Sequence, residues 1–318
     1  INKKSKAVYR KKPYHINLFK FGLIFGLGFY LSGISWITNS LTFDENFKIL
    51  IPFALILIPL FLSLFLAITI LFVGPHLRLD LPSLIFFSAS LAFSDYLRAK
   101  ILTGFPWNLW AYSTSSLIEI SQILNLIGLF SYNLLLITLF TLPTIIFFKI
   151  KMINRILSII FVTLIIFSLY IYGSFEINKN KKFLDSIDNK LFVKVISPNF
   201  DLEYDLDKKK IKERFKKLVR YSDPDKDRKT LFIWPEGVFS GYSYNEILNF
   251  KEIILRNFSK EHLIIFGTNK LDPITGGFYN SLLVVNNKFE IIHSYNKRKL
   301  VPFGEFLPFE NFFKKIGL

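Results

Sequence analysis

The sequence contains no cysteine, one methionine (Met152) and four scattered histidines, His15, His76, His262 and His293. Without cysteine, these residues form no disulfide, no thiolate metal site and no cysteine nucleophile. The histidines show no ligand spacing, so neither a metal centre nor a cofactor is expected. Acidic residues are scarce in the first half: of 24, only Asp44, Glu45, Asp80, Asp95 and Glu119 precede residue 176. The other 19 share residues 176–318 with 26 of the 40 Lys and Arg. An apolar half and a charged half therefore meet near Phe175. The net charge of +16 does not point to nucleic acid. Bases of the first half sit in short connectors and those of the second are interleaved with acids, so no nucleic-acid partner is expected.

What is present is long hydrophobic sequence, in runs 18–40, 49–73, 83–99, 118–148 and 156–174. About 20 apolar residues cross about 30 Å of hydrocarbon, so the chain reads as a multi-pass membrane protein. Gly22 and Gly26 form a G-x-x-x-G spacing that lets helices approach closely. The third run is the weakest, because Asp95 and Arg98 fall near its end, and the fourth is longer than one crossing needs. With a cytoplasmic N-terminus, 11 Lys and Arg lie inside against three outside (Lys48, Arg98 and Lys100). The positive-inside rule therefore predicts that residues 176–318 lie outside the cytoplasm. One connector, 103–113, carries Phe105, Pro106, Trp107, Trp110 and Tyr112. It reads either as an interfacial anchor or as a loop lining a lipid-accessible site.

In the charged half, β-branched and alternating segments predict strands at 191–197, 230–234, 262–267, 278–286 and 290–295. Amphipathic helices are predicted at 206–222 and 245–258, giving an α/β layered domain. Two places carry chemistry-bearing residues. Glu236 follows the strand Leu231-Phe-Ile-Trp-Pro, where a carboxylate held against apolar neighbours would suit proton transfer; the alternative is a capping or surface glutamate. Lys297 follows a later strand and would stabilise an oxyanion as a fixed charge in a dry site; the alternative is one solvated lysine among several bases.

Together with the apolar half, these motifs resemble the apolipoprotein N-acyltransferases, membrane-fused members of the nitrilase (carbon–nitrogen hydrolase) superfamily. The resemblance is carried by Phe21–Tyr30 with Ser35-Trp36, by Gly104-Phe-Pro-Trp-Asn and by Ile233-Trp-Pro-Glu236. Tyr279-Asn280-Ser281 and Lys297-x-x-Leu-Val-Pro-Phe-Gly-Glu305 extend it along nearly the whole chain. It implies a membrane domain over 1–175 and a periplasmic nitrilase-like αββα sandwich over 176–318, in the bacterial inner membrane. It also implies transfer of an acyl chain from a phospholipid, through a cysteine thioester, to the N-terminal diacylglyceryl-cysteine of a lipoprotein. Carried over by motif, Glu236 is the general base, Lys297 the oxyanion stabiliser and Glu305 its support. Phe105, Pro106, Trp107 and Trp110 then belong to a lipid-access loop, with the aromatic stretch 302–313 as a second gate.

The sequence departs from that pattern in lacking the nucleophilic cysteine. It starts at Ile1 and ends 13 residues past Glu305. The expectation is an internal fragment, with a sandwich incomplete at its C-terminus and no activity alone. The family's aromatic position near the first strand has only Tyr204 as a counterpart. The alternatives are a non-catalytic lipid-binding membrane remnant and a membrane-anchored amide hydrolase.

Overall fold

The computed structural model describes residues 13–300, apart from 43, 44, 102, 103, 149, 188–190, 201, 202, 204, 205 and 240. The chain divides into two compact units, Ile1–Ser186 and Ile187–Leu318.

The first unit is helical: α1 Pro13–Ile34, α2 Ile51–Val73, α3 Leu81–Arg98, α4 Ile118–Ser121, α5 Leu124–Thr141 and α6 Met152–Asp185. Among the described residues, four segments are long and apolar enough to cross a membrane: His15–Thr42, Phe47–His76, Leu124–Phe147 and Met152–Asp185. The third of the five expected runs does form a helix, α3, opened by Asp80, whose carboxylate accepts from the Ser83 N–H. It is not among the four, because Asp95 and Arg98 interrupt its apolar character. Run 118–148 is broken rather than continuous: α4 ends at Ser121, and Gly128 inside α5 takes φ 74°. α6 has 34 residues, about 50 Å at 1.5 Å per residue, so it is longer than a hydrocarbon core is thick. Phe161, Leu164, Phe167 and Ile171 lie exposed along it. Such a surface suits lipid and would be a liability in water.

The G-x-x-x-G spacing does what it predicts. A Cβ on Gly22 would sit 2.7 Å from the Ala67 Cα, and one on Gly26 would sit 2.6 Å from the Ser63 Cβ. Only glycine lets α1 lie this close to α2. Gly28, two residues on, faces open space.

The second unit holds one mixed sheet, β1 Phe192–Val195, β2 Thr230–Ile233, β3 His262–Leu271, β4 Phe278–Val285 and β5 Ile291–Asn296, in spatial order 1-2-3-4-5. β1, β2 and β3 are parallel, and β4 and β5 continue as an antiparallel meander. Helix α7 Lys208–Ser222 links β1 to β2, and the short helices α8 Tyr244–Ile247 and α9 Lys251–Asn257 link β2 to β3. Asp207 caps α7 by accepting from the Lys210 N–H, and Ile211, Phe215 and Leu218 bury its apolar stripe. Against that stripe pack Phe232, Ile264, Phe266 and Leu283 from one face of the sheet. Phe215 stacks on Phe239 and Phe250, and the Trp234 indole N–H donates to the Ser222 hydroxyl at 3.0 Å.

The opposite face is different. Strand alternation puts Val193, Val195, Leu263, Leu282 and Tyr295 on it, and all five are exposed, Val195 at 74%. Parallel strands are normally covered on both faces. Here the described residues cover one face and leave the other apolar and open.

Candidate functional site

The carboxyl ends of β2 and β3, the start of β4 and the end of β5 lie at one end of the sheet, because β4 reverses direction against β3. Glu236 sits in the turn immediately after β2, next to Gly237 at φ 72°. The ladder continues past β2 through the Trp234 N–H to the Ile265 carbonyl, 2.8 Å, which fixes where the turn begins. A Cβ on Gly267 would lie 3.9 Å from the Glu236 Cγ, so the glutamate stem passes over β3 at a residue with no side chain. Gly267 pairs with Leu282, which pairs with Tyr295. Glu236 therefore lies over the open face. It is exposed, and the described residues do not form the apolar enclosure expected from its sequence neighbours, because Trp234 and Val238 turn into the covered core instead.

Lys297 extends the ladder beyond β5, its N–H donating to the Asn280 carbonyl at 2.8 Å. Asn280 pairs in turn with Asn269 of β3. By alternation Asn269, Asn280 and Lys297 form the next row on the same open face, one step beyond the row of Gly267. Lys297 is half-buried. The structure thus brings Glu236 and Lys297 to one end and one face of the sheet. β3 and β5 are two strand spacings apart, about 10 Å, with two amides between. Glu305, the stretch 302–313 and Tyr204 lie outside the described residues.

The other members of the Tyr279-Asn280-Ser281 motif build the platform. The Asp272 carboxylate accepts from Thr275 Oγ1 at 2.6 Å, the Ile274 N–H at 3.1 Å and the Tyr279 hydroxyl at 3.2 Å. These bonds, Thr275 first, hold Asp272 below the usual carboxylate range, and the Asp272 charge pushes the Tyr279 phenol up. Ser281 donates to Asn296 Oδ1 at 2.8 Å, tying β4 to the strand that leads to Lys297.

In the helical unit, the connector read as anchor or lipid loop folds back over the end of α3. Gly104 has φ 90°, and a Cβ there would strike the Ala99 carbonyl at 2.2 Å. Phe105 and Trp110 are half-buried, while Pro106 and Trp107 are exposed. Trp107 lies against Trp36 and Phe105, each with ring centroids 5.1 Å away, and Trp110 stacks on Phe29 at 4.9 Å. The loop is held by Arg98, Asp95 and Asn133, the first two of which the sequence marks as charges that weaken the third run. The Arg98 Nη1 donates to the carbonyls of Phe105 and Trp107, at 2.6 and 2.7 Å, and Nη2 donates to Asp95 at 3.1 Å. The second Asp95 oxygen accepts from Asn133 at 2.9 Å, and Asn133 accepts from the Ala111 N–H at 3.0 Å. Arg98, counted from the sequence as a loop base, is 1% exposed. Paired and buried, it is no longer a free loop charge. The signal available in sequence was two opposite charges three residues apart in an otherwise apolar helix, a pattern that lipid does not tolerate unpaired.

Among the described residues no cluster of metal-ligating side chains occurs. Comparison with known proteins adds identity to this geometry. Residues 7–142 match the family described as apolipoprotein N-acyltransferase N-terminal domain. The chain is 26% identical over 310 residues to the apolipoprotein N-acyltransferase of Rhodopseudomonas palustris, covering 93% of this chain. It is 27% identical over 308 residues to that of Brucella melitensis and 28% identical over 312 residues to that of Bradyrhizobium diazoefficiens. The chain spans 57% of the length of each of these relatives. Residues 7–142 are thus similar to the N-terminal domain of the apolipoprotein N-acyltransferases, and nearly the whole chain is similar to enzymes that bear that name.

Proposed function

We propose that the chain carries the acid–base and oxyanion-stabilising residues of an apolipoprotein N-acyltransferase, working in the bacterial inner membrane. In this reading a thiolate attacks the ester carbonyl of a phospholipid acyl chain, giving a thioester and a lysophospholipid. The α-amino group of a lipoprotein's diacylglyceryl-cysteine then attacks the thioester, giving an amide and returning the thiol. Glu236 accepts the thiol proton and gives it to the departing lysophospholipid oxygen, then accepts the amine proton and returns it to the departing thiolate; Lys297 stabilises each tetrahedral oxyanion, and Glu305 supports Lys297. With α3 taken as a fifth crossing whose Asp95 and Arg98 charges are paired, the N-terminus is cytoplasmic and residues 176–318 are periplasmic, where both substrates present their headgroups. Phe105, Pro106, Trp107 and Trp110 meet the acyl chains.

The observation that carries the reading is the convergence of Glu236 and Lys297 on one face and one end of the sheet, from turns 61 residues apart in sequence. The open apolar face supports a second β-layer stacked upon it, as in the αββα sandwich of the nitrilase superfamily, which would also dry the site. The 318 residues contain no cysteine, so the thiol is not among them.

The test is transfer of a radiolabelled acyl chain from phospholipid to a diacylglyceryl-cysteinyl peptide by the purified chain in nanodiscs. The expected result is phospholipid binding without transfer. Transfer by the chain alone would overturn the assignment of a thiol-dependent reaction. The missing cysteine also favours a second reading, a lipid-binding scaffold without catalysis. That reading predicts the same binding, and predicts no dependence on Glu236 or Lys297 when a thiol-bearing segment is supplied.

A further inference from the structure

We propose that Arg98 is the positioning residue of the 104–110 loop, fixing the backbone on which Trp107 and Trp110 meet lipid. The proposal rests on the lipid-access reading of that loop. A guanidinium and a carboxylate within an apolar helical unit are expensive to desolvate, and hydrophobic replacements of the same volume would stabilise the fold as well or better. What hydrophobic residues would not do is hold two carbonyls of an irregular segment. One Arg98 nitrogen does so, at Phe105 and Trp107. The planar fork leaves its other end for Asp95, and the guanidinium lies over the Tyr30 ring, 5.3 Å from its centroid.

From Asp95 the network continues through Asn133 of α5 to the Ala111 N–H, at the far end of the same segment. Both ends of 105–111 are thus tied to one buried network. Irregular backbone at membrane depth is tolerated where its polar groups are satisfied by protein. With its carbonyl held in this way, the Trp107 side chain stands 46% exposed beside Trp36. Lysine cannot replace arginine here: its single ammonium keeps the charge for Asp95 but does not span two carbonyls and a carboxylate together.

The absence of native cysteine makes the test direct. A nitroxide placed at Pro106→Cys reports the loop, and one at Phe161→Cys, exposed on α6, reports the helices. The full chain is studied in phospholipid nanodiscs, with phosphatidylethanolamine binding measured in parallel by native mass spectrometry. Arg98→Gln and Arg98→Lys are expected to free the loop label and leave the α6 label unchanged. Phospholipid affinity should fall about tenfold, as ordering two aromatic side chains becomes a cost of binding, and Trp107→Ala should show a similar fall. A loop label that stays restricted in Arg98→Gln overturns the proposal. Equal loosening at both labels also overturns it, because Arg98 would then hold the helices rather than the loop. A freed loop with undiminished affinity, while Trp107→Ala still weakens binding, overturns the role of Arg98 and leaves the lipid loop standing. Undiminished affinity in Trp107→Ala removes the lipid-access reading, and this proposal with it.

Discussion

Replacing Gly26 with alanine adds one carbon, and the structure says where it goes. Its Cβ would lie 2.6 Å from the Ser63 Cβ and 2.9 Å from the Ser63 Cα. Non-bonded carbons rest at about 3.5–4.0 Å, so α1 and α2 must separate by about 1 Å, a gap that forfeits up to half of each neighbouring contact. Overpacking of this kind costs about 1–3 kcal/mol. Alanine also gains about 0.5–1 kcal/mol over glycine from helix propensity, which opposes the steric cost. Gly28→Ala serves as the reference, since its added carbon meets nothing within 4 Å. Both variants share the propensity gain, so the difference between them isolates the steric cost. Equilibrium unfolding in mixed micelles with rising SDS, followed by circular dichroism, should place Gly26→Ala about 1–3 kcal/mol below Gly28→Ala. Equal stability of the two variants would refute the close approach of α1 to α2.

Three further outcomes are expected. Ser222→Ala leaves the buried Trp234 N–H without its acceptor and should destabilise the α/β unit by about 1–3 kcal/mol; adding Trp234→Phe should cost less in that background than in the wild type, read from near-ultraviolet circular dichroism. The depressed Asp272 carboxyl stabilises the 272–277 turn while ionised. Its contribution is complete above the unfolded value, about 3.9, and is lost as pH falls from there through the lower folded value. Amide exchange of Ile274 and Gly276, normalised for intrinsic rate, should stay constant from pH 7 to 5 and rise only below that window; a rise near pH 6 would contradict the assignment. A single thiol at Ile274→Cys, a site 90% exposed, should react with a membrane-impermeant maleimide in spheroplasts, whereas protection until lysis would reverse the proposed orientation.

Much of the α/β unit was legible in sequence because its signals are local. Alternation and β-branching at 191–197 and 278–286 report strands whichever partners they find, and the stripe Ile211, Phe215, Leu218 reports a helix. Boundaries moved where pairing decided them: β3 runs to Leu271, beyond the expected Gly267, because β4 continues alongside it to Phe278. The expected helix 245–258 splits at Leu248–Phe250, where a 3-10 turn separates α8 from α9.

The candidate site was legible in part for the same reason. Glu236 and Lys297 each follow a strand, which sequence shows; that they share a face depends on the register of β3, β4 and β5, which it does not. The Asp95–Arg98–Asn133 network was illegible because its third member is 38 residues away on α5. Hydropathy records its first two members only as a weak span.

In the proposed function Glu236 and Lys297 serve acyl transfer. The most direct measurement uses a chimera in which residues 1–318 are continued by the remaining C-terminal length of the Rhodopseudomonas palustris relative. Acyl transfer from labelled phospholipid to a diacylglyceryl-cysteinyl peptide is then compared with and without Glu236→Gln and Lys297→Met. Transfer by the chimera is expected, with a loss of at least about a hundredfold on either substitution. Transfer that survives both substitutions undiminished would contradict the proposed function.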